Sequence, residues 1–446
     1  MRVAVIGSGI SGCAATWSLS EWADVTVFES ESRIGGHTHT QTISIDEQNF
    51  AVDTGFIVFN HRTYPGLKAW FEALDVDCAP SDMSFSASLN DGELEWCGTS
   101  LNSVFAQRKN LVAPKFWAML ADILRFNREA PIDAARFRGS SAVGPTLGEY
   151  LDQGRYRGLF LEAYLLPMAG AIWSCPTRQM REFPMTTFTK FCENHGLLSL
   201  MNRPQWFTVR NGAVNYLQRL KATLTGQRRQ VRWRTSCPVA HVAPEISPQG
   251  QNRVRLQGTE AGCGFNEVFD AVILACHSDQ AAKLLPKTMA LQSVANQVRY
   301  QDNLAVLHTD LSLMPKRKSA WASWNYLHNT REVHDSNAVS VTYWMNRLQP
   351  LPVTRPILVT LNPNRPPDPE QTLNQMHYAH PVFDGPAIEA QRLLPDSQGE
   401  GSIWLAGAWT RYGFHEDGFQ SGQHAAQLVR QALRASDHDD LYPKAA

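Results

Sequence analysis

The chain opens with Met1-Arg2-Val3-Ala4-Val5-Ile6 and runs at once into Gly7-Ser8-Gly9-Ile10-Ser11-Gly12. An apolar strand that breaks into Gly-x-Gly-x-x-Gly admits few folds, because each glycine answers a separate steric demand. Gly7 suits a tight turn, Gly9 lets a pyrophosphate meet bare backbone, and Gly12 lets a helix lie close to the strand. The helix that begins here, near Ser11, turns its free N–H groups and positive dipole end toward the phosphates. Val25-Thr26-Val27-Phe28 reads as the next strand, with Glu29 at its end. That is close to the ~20-residue offset at which an acid accepts hydrogen bonds from a ribose. Strand, turn, helix, strand and acid fall in the order of a dinucleotide-binding βαβ unit.

The residues just beyond Glu29 separate one dinucleotide from another. Arg33-Ile34-Gly35-Gly36 comes next, then His37-Thr38-His39-Thr40. Paired glycines beyond the second strand let backbone pass tightly beside a cofactor. This block resembles the FAD-binding signature of the flavin amine oxidase, protoporphyrinogen oxidase and phytoene desaturase superfamily. In that group the acid is followed by Arg-x-Gly-Gly-Arg-x-x-Thr. Here His37 stands where the second arginine would be, and Thr40 keeps the threonine position. The resemblance implies FAD as the cofactor. It also implies an α/β fold: a Rossmann-like FAD-binding domain of the glutathione-reductase/amine-oxidase type with an inserted α+β substrate domain.

Three separated pieces are expected to build the FAD-binding domain: residues 1–81, 207–285 and 399–446. The first includes Phe50 to Phe59, a strand and turn suited to lie near the isoalloxazine, followed by a helix from Tyr64 to Leu74. In the second, a helix opens at Asn211-Gly212, and Asp270 to Ala275 reads as a buried parallel strand. The superfamily passes the adenine along a strand like Pro238 to Val242, which points to Val239. In the third, Ser402 to Trp409 is a strand with Gly407 near its end, and Gly413-Phe414-His415-Glu416-Asp417-Gly418-Phe419-Gln420 leads into a helix. In relatives that helix end faces the flavin pyrimidine edge, where its dipole favours the anionic reduced ring. The acid usual after the Ala-Gly pair is replaced by Ala408-Trp409, so ribityl contacts fall to other groups, with Glu416 and Asp417 the nearest acids.

Residues 82–206 and 286–398 remain for the substrate. Trp117, Leu120, Ile123 and Leu124 stripe one face of a helix that also carries Lys115, Arg125 and Arg128. Packing onto its own domain is the first reading of such a stripe, and a peripheral membrane contact the second. Aromatic side chains are dense in and beside these segments, among them Trp173, Trp206, Phe207, Trp324 and Tyr343. They suit a long apolar pocket, and they equally suit enclosure of an amine.

For chemistry at the flavin, motif position singles out His37, His39, Asn60, Arg62, His415 and Glu416. His415-Glu416 precedes the flavin-facing helix and is the expected proton-handling pair. Arg62 is placed either to clamp a substrate carboxylate or to pair with a surface acid. Cofactor contacts are expected from Gly7, Gly9, Ser11, Gly12, Glu29, Arg33, Gly35, Gly36, His37, Thr40, Val239, Gly407, Asp417, Gly418, Phe419 and Gln420. Cys276-His277 suggests a nucleophile, but Cys276 closes an apolar run and reads better as a packed thiol. The eight cysteines, Cys175 among them, contain no CxxC pair, so neither disulfides nor a metal site is expected.

Lys and Arg total 41 against 42 Asp and Glu, a balance that gives no basic surplus for nucleic acid. No apolar run reaches the ~18 residues of a membrane span. With a strand starting at residue 2, a cytoplasmic location is expected.

Gly35 to Thr40, Asp53 to Asn60, Leu361-Asn362-Pro363, His380-Pro381-Val382-Phe383 and Gly413 to Gly418 together resemble a bacterial group of predicted NAD/FAD-binding, amine-oxidase-like proteins. Some relatives there are implicated in desaturating methyl-branched fatty acyl chains of phospholipids. The resemblance implies an FAD-dependent oxidoreductase that removes hydride from an apolar, lipid-like substrate, of fatty-acyl desaturase or oxidase type. The alternatives are a flavin amine oxidase that yields imine and peroxide, a flavin-dependent double-bond isomerase, and a non-catalytic flavin-binding partner protein.

Overall fold

Five strands of alternating small and branched apolar residues form a parallel sheet at the centre of the nucleotide-binding half. Its order is Val231–Arg234, Asp24–Phe28, Arg2–Ile6, Ala271–Leu274 and Ile403–Leu405. The computed structural model describes residues 1–138, 144–173, 177–199, 203–328 and 339–441; Cys175 lies outside them. Both faces of the sheet are covered, as a parallel sheet requires. Val3, Val5, Val25, Val27 and Ile273 face the first helix, Ile10–Leu19, and the C-terminal helix, His415–Leu441. Ala4, Ile6, Val272 and Leu274 face the opposite way, onto an antiparallel three-stranded sheet and the helix Gly385–Ser397.

The first and C-terminal helices touch along small residues. A Cβ on Gly418 would stand 2.6 Å from Ile10 Cγ2 and 3.0 Å from Ser11 Oγ, and one on Gly422 would overlap the Ser11 carbonyl. Glycines four apart sit on one face of a helix, so this pair lets two backbones meet where side chains would hold them apart. The starts of both helices are thereby set side by side.

A seven-stranded sheet lies beyond, in the order Thr372–Pro381, Tyr300–His308, Leu358–Leu361, Val341–Trp344, Trp324–His328, Phe85–Leu89 and Leu94–Cys97. All neighbours are antiparallel except Trp324–His328 with Phe85–Leu89. Helices including Pro114–Arg138, Leu166–Trp173 and Met185–Asn194 build an aromatic core against it. The hairpin Thr40–Ile45 with Gln48–Asp53 packs on its other side. Asp53 is wholly buried there. It accepts the Ala213 N–H, the Thr40 hydroxyl and the Gln349 amide, and so ties the hairpin to both halves of the molecule.

The stripe expected on Pro114–Arg138 divides. Phe116, Met119, Ile123 and Phe126 are buried, whereas Trp117 and Leu124 face solvent. Among the described residues no helix is long and apolar enough to cross a membrane.

Candidate active site

At the end of the first strand Gly7 takes φ +97, and a Cβ there would lie 2.8 Å from the Ala275 carbonyl oxygen. A Cβ on Gly12 would overlap the Gly7 carbonyl, so these two glycines are required by packing. Gly9 differs: nothing lies within 4 Å of where its side chain would be, and no side chain caps the helix that begins after it. Open space therefore stands in front of an uncapped helix N-terminus, the arrangement that accepts a phosphate.

Glu29 is aimed at this turn. One carboxylate oxygen accepts the Ser8 N–H at 3.0 Å and the Ser8 hydroxyl at 2.6 Å, and the other accepts the Glu31 N–H at 2.9 Å. The Cys237 N–H donates to the Glu29 carbonyl at 2.8 Å, which brings the segment leading to Val239 beside the acid. Gly35 and Gly36, at φ +119 and +56, fold the chain back over the turn, and a Cβ on Gly36 would stand 3.2 Å from Gly9 Cα. Arg33 holds that fold by donating to the carbonyls of Gly36 and Thr38. Thr40 is turned away, its hydroxyl donating to Asp53 and accepting the Val214 N–H.

The C-terminal helix supplies the second side. Gly407 donates its N–H to the Ser421 hydroxyl at 3.1 Å. Asp417 accepts the Phe414 N–H at 3.0 Å, and burial pushes its carboxyl up to about 6. Glu416 accepts the N–H groups of Gly66 and Leu67 at 2.9 and 2.8 Å and the Gln420 amide at 2.6 Å. It thus caps the helix Pro65–Ala73, and this engagement does not suit the proton-handling part expected of it. Phe419 is buried against Trp70.

His415 stacks on Phe56 with ring centres 3.7 Å apart. Its Nε2 lies 3.1 Å from the Thr38 hydroxyl and 3.3 Å from the Tyr216 hydroxyl. Those two hydroxyls are themselves 2.5 Å apart. Burial lowers the imidazole to about 3, so it is neutral at ordinary pH. A neutral imidazole in a hydroxyl network can accept or relay a proton without carrying a standing charge.

His37, where relatives carry an arginine, stands among other rings: His277 at 5.7 Å, His380 at 5.4 Å and Tyr378 at 5.2 Å. Burial holds His37 well below the usual histidine range and His380 at about 4, and it lowers His277 as well. The His37 Nε2 is buried without a partner. His39 joins this group through Tyr378, to whose hydroxyl its Nδ1 lies at 3.0 Å, and its Nε2 meets the Gln41 amide. Sequence reading passed over Thr38, Tyr216, His277, Tyr378 and His380 as site residues. A signal existed for His277, since it stands just past a central strand of the parallel sheet, at the end where ligands collect. Nothing local marks Tyr216, which arrives from a helix that begins at Val214. Cys276 is a packed thiol, pushed up to about 12 by burial.

Arg62 is exposed, its guanidinium near Gly196 and the His195 ring. Among the described residues no carboxylate pairs with it. His195 leads inward through a run of rings: His195 to Phe191 at 3.9 Å, Phe191 to Phe414 at 4.7 Å and Phe191 to Trp173 at 4.6 Å. Trp206 flanks His195 at 6.3 Å. Trp324 and Tyr343 form a separate perpendicular pair on the large sheet.

Residues 5–74 match the family model of the NAD(P)-binding Rossmann-like domain. No curated protein matches the chain in sequence. Solved structures match it over nearly its whole length. A provisionally named protoporphyrinogen oxidase from Exiguobacterium sp. 255-15 is 16% identical, with a TM-score of 0.67 over 97% of this chain and 99% of that one. A fatty acid isomerase from P. acnes that produces CLA is 12% identical, with a TM-score of 0.64 over 96% and 98%. Cyclohexylamine oxidase from Brevibacterium oxydans IH-35A is 15% identical, with a TM-score of 0.63 over 97% and 99%. The chain therefore has the two-domain fold of the amine oxidases and protoporphyrinogen oxidases, built on a Rossmann-like dinucleotide-binding domain.

Proposed function

We propose that this protein is an FAD-dependent oxidoreductase that takes hydride from an apolar, lipid-like substrate, in a cytoplasmic setting. The observation that carries the cofactor is the side-by-side start of two helices. One is uncapped behind the open space at Gly9, beside the preset carboxylate of Glu29, and the other packs against it through Gly418 and Gly422. FAD fits this donor set. The carboxylate would accept ribose hydroxyls, the N–H groups of Ile10 and Ser11 would face the pyrophosphate, and the unpartnered His37 Nε2 would find a ligand oxygen. When bound, FAD supplies two-electron acceptance, which no side chain offers.

The protein's own part is to orient and to manage a proton. His415, held by Thr38 and Tyr216, would accept one from substrate, a role its hydroxyl network supports. The rings of Trp173, Phe191 and Phe414 approach from the substrate side, and the histidines near them carry no charge. An uncharged aromatic wall favours a hydrocarbon chain over a permanently charged substrate, because a charge there would lose its hydration without a partner.

The test is the visible spectrum of purified protein under anaerobic mixing with phospholipids bearing unsaturated or methyl-branched acyl chains. Loss of flavin absorbance supports the reading. A colourless protein unable to take up FAD removes it. Bleaching by simple amines, with peroxide formed on admitting air, would replace the lipid with an amine. A changed double-bond position with no net reduction would make the enzyme an isomerase.

A further inference from the structure

Among the described residues, large apolar side chains gather on the outside along residues 101–138. Leu101 is 80% exposed, Val112 83%, Leu124 54% and Trp117 50%, with Leu111 beside them. They are neighbours in space. The Trp117 indole N–H donates to the Leu111 carbonyl at 2.9 Å, and the Phe105 ring, one turn from Leu101, lies 5.4 Å from Trp117. Leu124 comes two turns after Trp117 on the same helix face. The long helix is thus apolar on its buried side and again on its outer side, a pattern that calls for an apolar environment on both.

Charge identifies that environment. Seven basic residues stand against three acids in this stretch, on a chain whose net charge is −1. Each acid is bound within its own helix: Asp122 to Arg125, Glu129 to Arg128 and Asp133 to Arg136. Arg108, Lys109 and Lys115 are left exposed around the apolar tip. A second copy of the chain seated symmetrically here would bring these cations against their own equivalents. An anionic bilayer offers both the apolar interior and the opposite charge. The indole suits an interface as well, since its polar atom is already satisfied within the protein.

We propose that Leu101, Leu111, Val112, Trp117 and Leu124, ringed by Arg108, Lys109 and Lys115, dock the protein on the surface of an anionic phospholipid membrane. The proposal is independent of the flavin reading, because vesicle binding is measured without turnover.

The experiment is co-sedimentation of the full chain, loaded with FAD, with vesicles of phosphatidylcholine alone or of equal parts phosphatidylcholine and phosphatidylglycerol. Binding is expected only to the anionic vesicles and is released by salt. The double variant Val112→Ser/Trp117→Ser should lose more than about tenfold in partitioning, and Lys115→Ala about fivefold, the effect of ~1 kcal/mol per basic residue near such a surface. Ile246→Ser, at a similarly exposed apolar residue on the three-stranded sheet, should change nothing. Equal sedimentation of the double variant and the parent overturns the proposal, as does absence of binding to either vesicle. A dimeric parent that the double variant converts to monomer also overturns it, since a second copy would then cover the patch.

Discussion

Glu416→Gln separates an anchoring carboxylate from a reacting one. The native side chain accepts from Gly66 N–H, Leu67 N–H and the Gln420 amide. Glutamine keeps the shape but presents one acceptor oxygen and an NH2 group. At least one buried donor then meets another donor, at a cost of about 1–3 kcal/mol. Removing negative charge from the start of the helix Pro65–Ala73 adds roughly 0.3–1 kcal/mol. Unfolding entropy near 2.1 cal/mol/K per residue gives about 0.9 kcal/mol/K for a chain of this length. A loss of about 1–4 kcal/mol therefore lowers Tm by roughly 1–4 °C if the chain melts as one unit. The assay is a circular-dichroism melt of the FAD-loaded protein beside single-turnover reduction. The expected result is a lower Tm with a reduction rate and pH profile close to those of the parent. An unchanged Tm with a reduction rate down a hundredfold would refute the anchoring argument and return Glu416 to the chemistry.

The two helix-start glycines should behave oppositely. Gly9→Ala places a methyl in open space, so the apoprotein melts normally while FAD binding weakens at least about tenfold by titration. Gly12→Ala drives a methyl into the Gly7 carbonyl and should destabilise the apoprotein by about 1–3 kcal/mol in urea. His415→Gln keeps a polar partner for Thr38 and Tyr216 but removes a proton acceptor. Flavin should be retained while kcat falls about 10²–10⁴-fold, and a small KM-only effect would point to positioning instead. Burial raises Asp53 to about 7, against ~3.9 for an unfolded aspartate. The folded chain holds that proton more tightly, so this stability is complete below ~3.9 and is lost as pH rises through about 7, by at most about 4 kcal/mol. Urea unfolding of Asp53→Asn should lack that decline between acidic and neutral pH, and an unchanged slope would refute it.

The parts of this architecture that were legible in sequence are those fixed by local sterics. Gly7, Gly9 and Gly12 announce their turn because glycine alone meets its demands, and Glu29 comes at a set offset. The helix expected from Tyr64 to Leu74 is found at Pro65–Ala73, its proline at the first helical position. The surroundings of His415 and His37 were not legible, since they depend on residues more than a hundred positions apart. Thr38 and Tyr216 meet His415 only once the sheet has closed, and His380 reaches His37 from a strand of the other sheet. Glu416 looked reactive because its neighbourhood in sequence is the loop expected to face the flavin, whereas its neighbours in space are amides of a different helix. The stripe on Pro114–Arg138 misled for a similar reason. Its apolar residues wrap around the helix, so periodicity alone could not say which would be covered.

The strand order has a consequence for biosynthesis. Arg2–Ile6, the first strand made, lies in the middle of the parallel sheet, between Asp24–Phe28 and Ala271–Leu274, and the edge strand Ile403–Leu405 is made almost last. On the ribosome this segment waits about 265 residues before its second neighbour, Ala271–Leu274, exists, with one apolar flank open until then to solvent or to a chaperone. The nucleotide cleft closes only when Gly418 and Gly422 settle on Ser11. On the proposed function, cofactor capture would then follow completion of the chain, and a nascent chain halted short of that helix would leave the face of Val3 and Val5 incompletely covered.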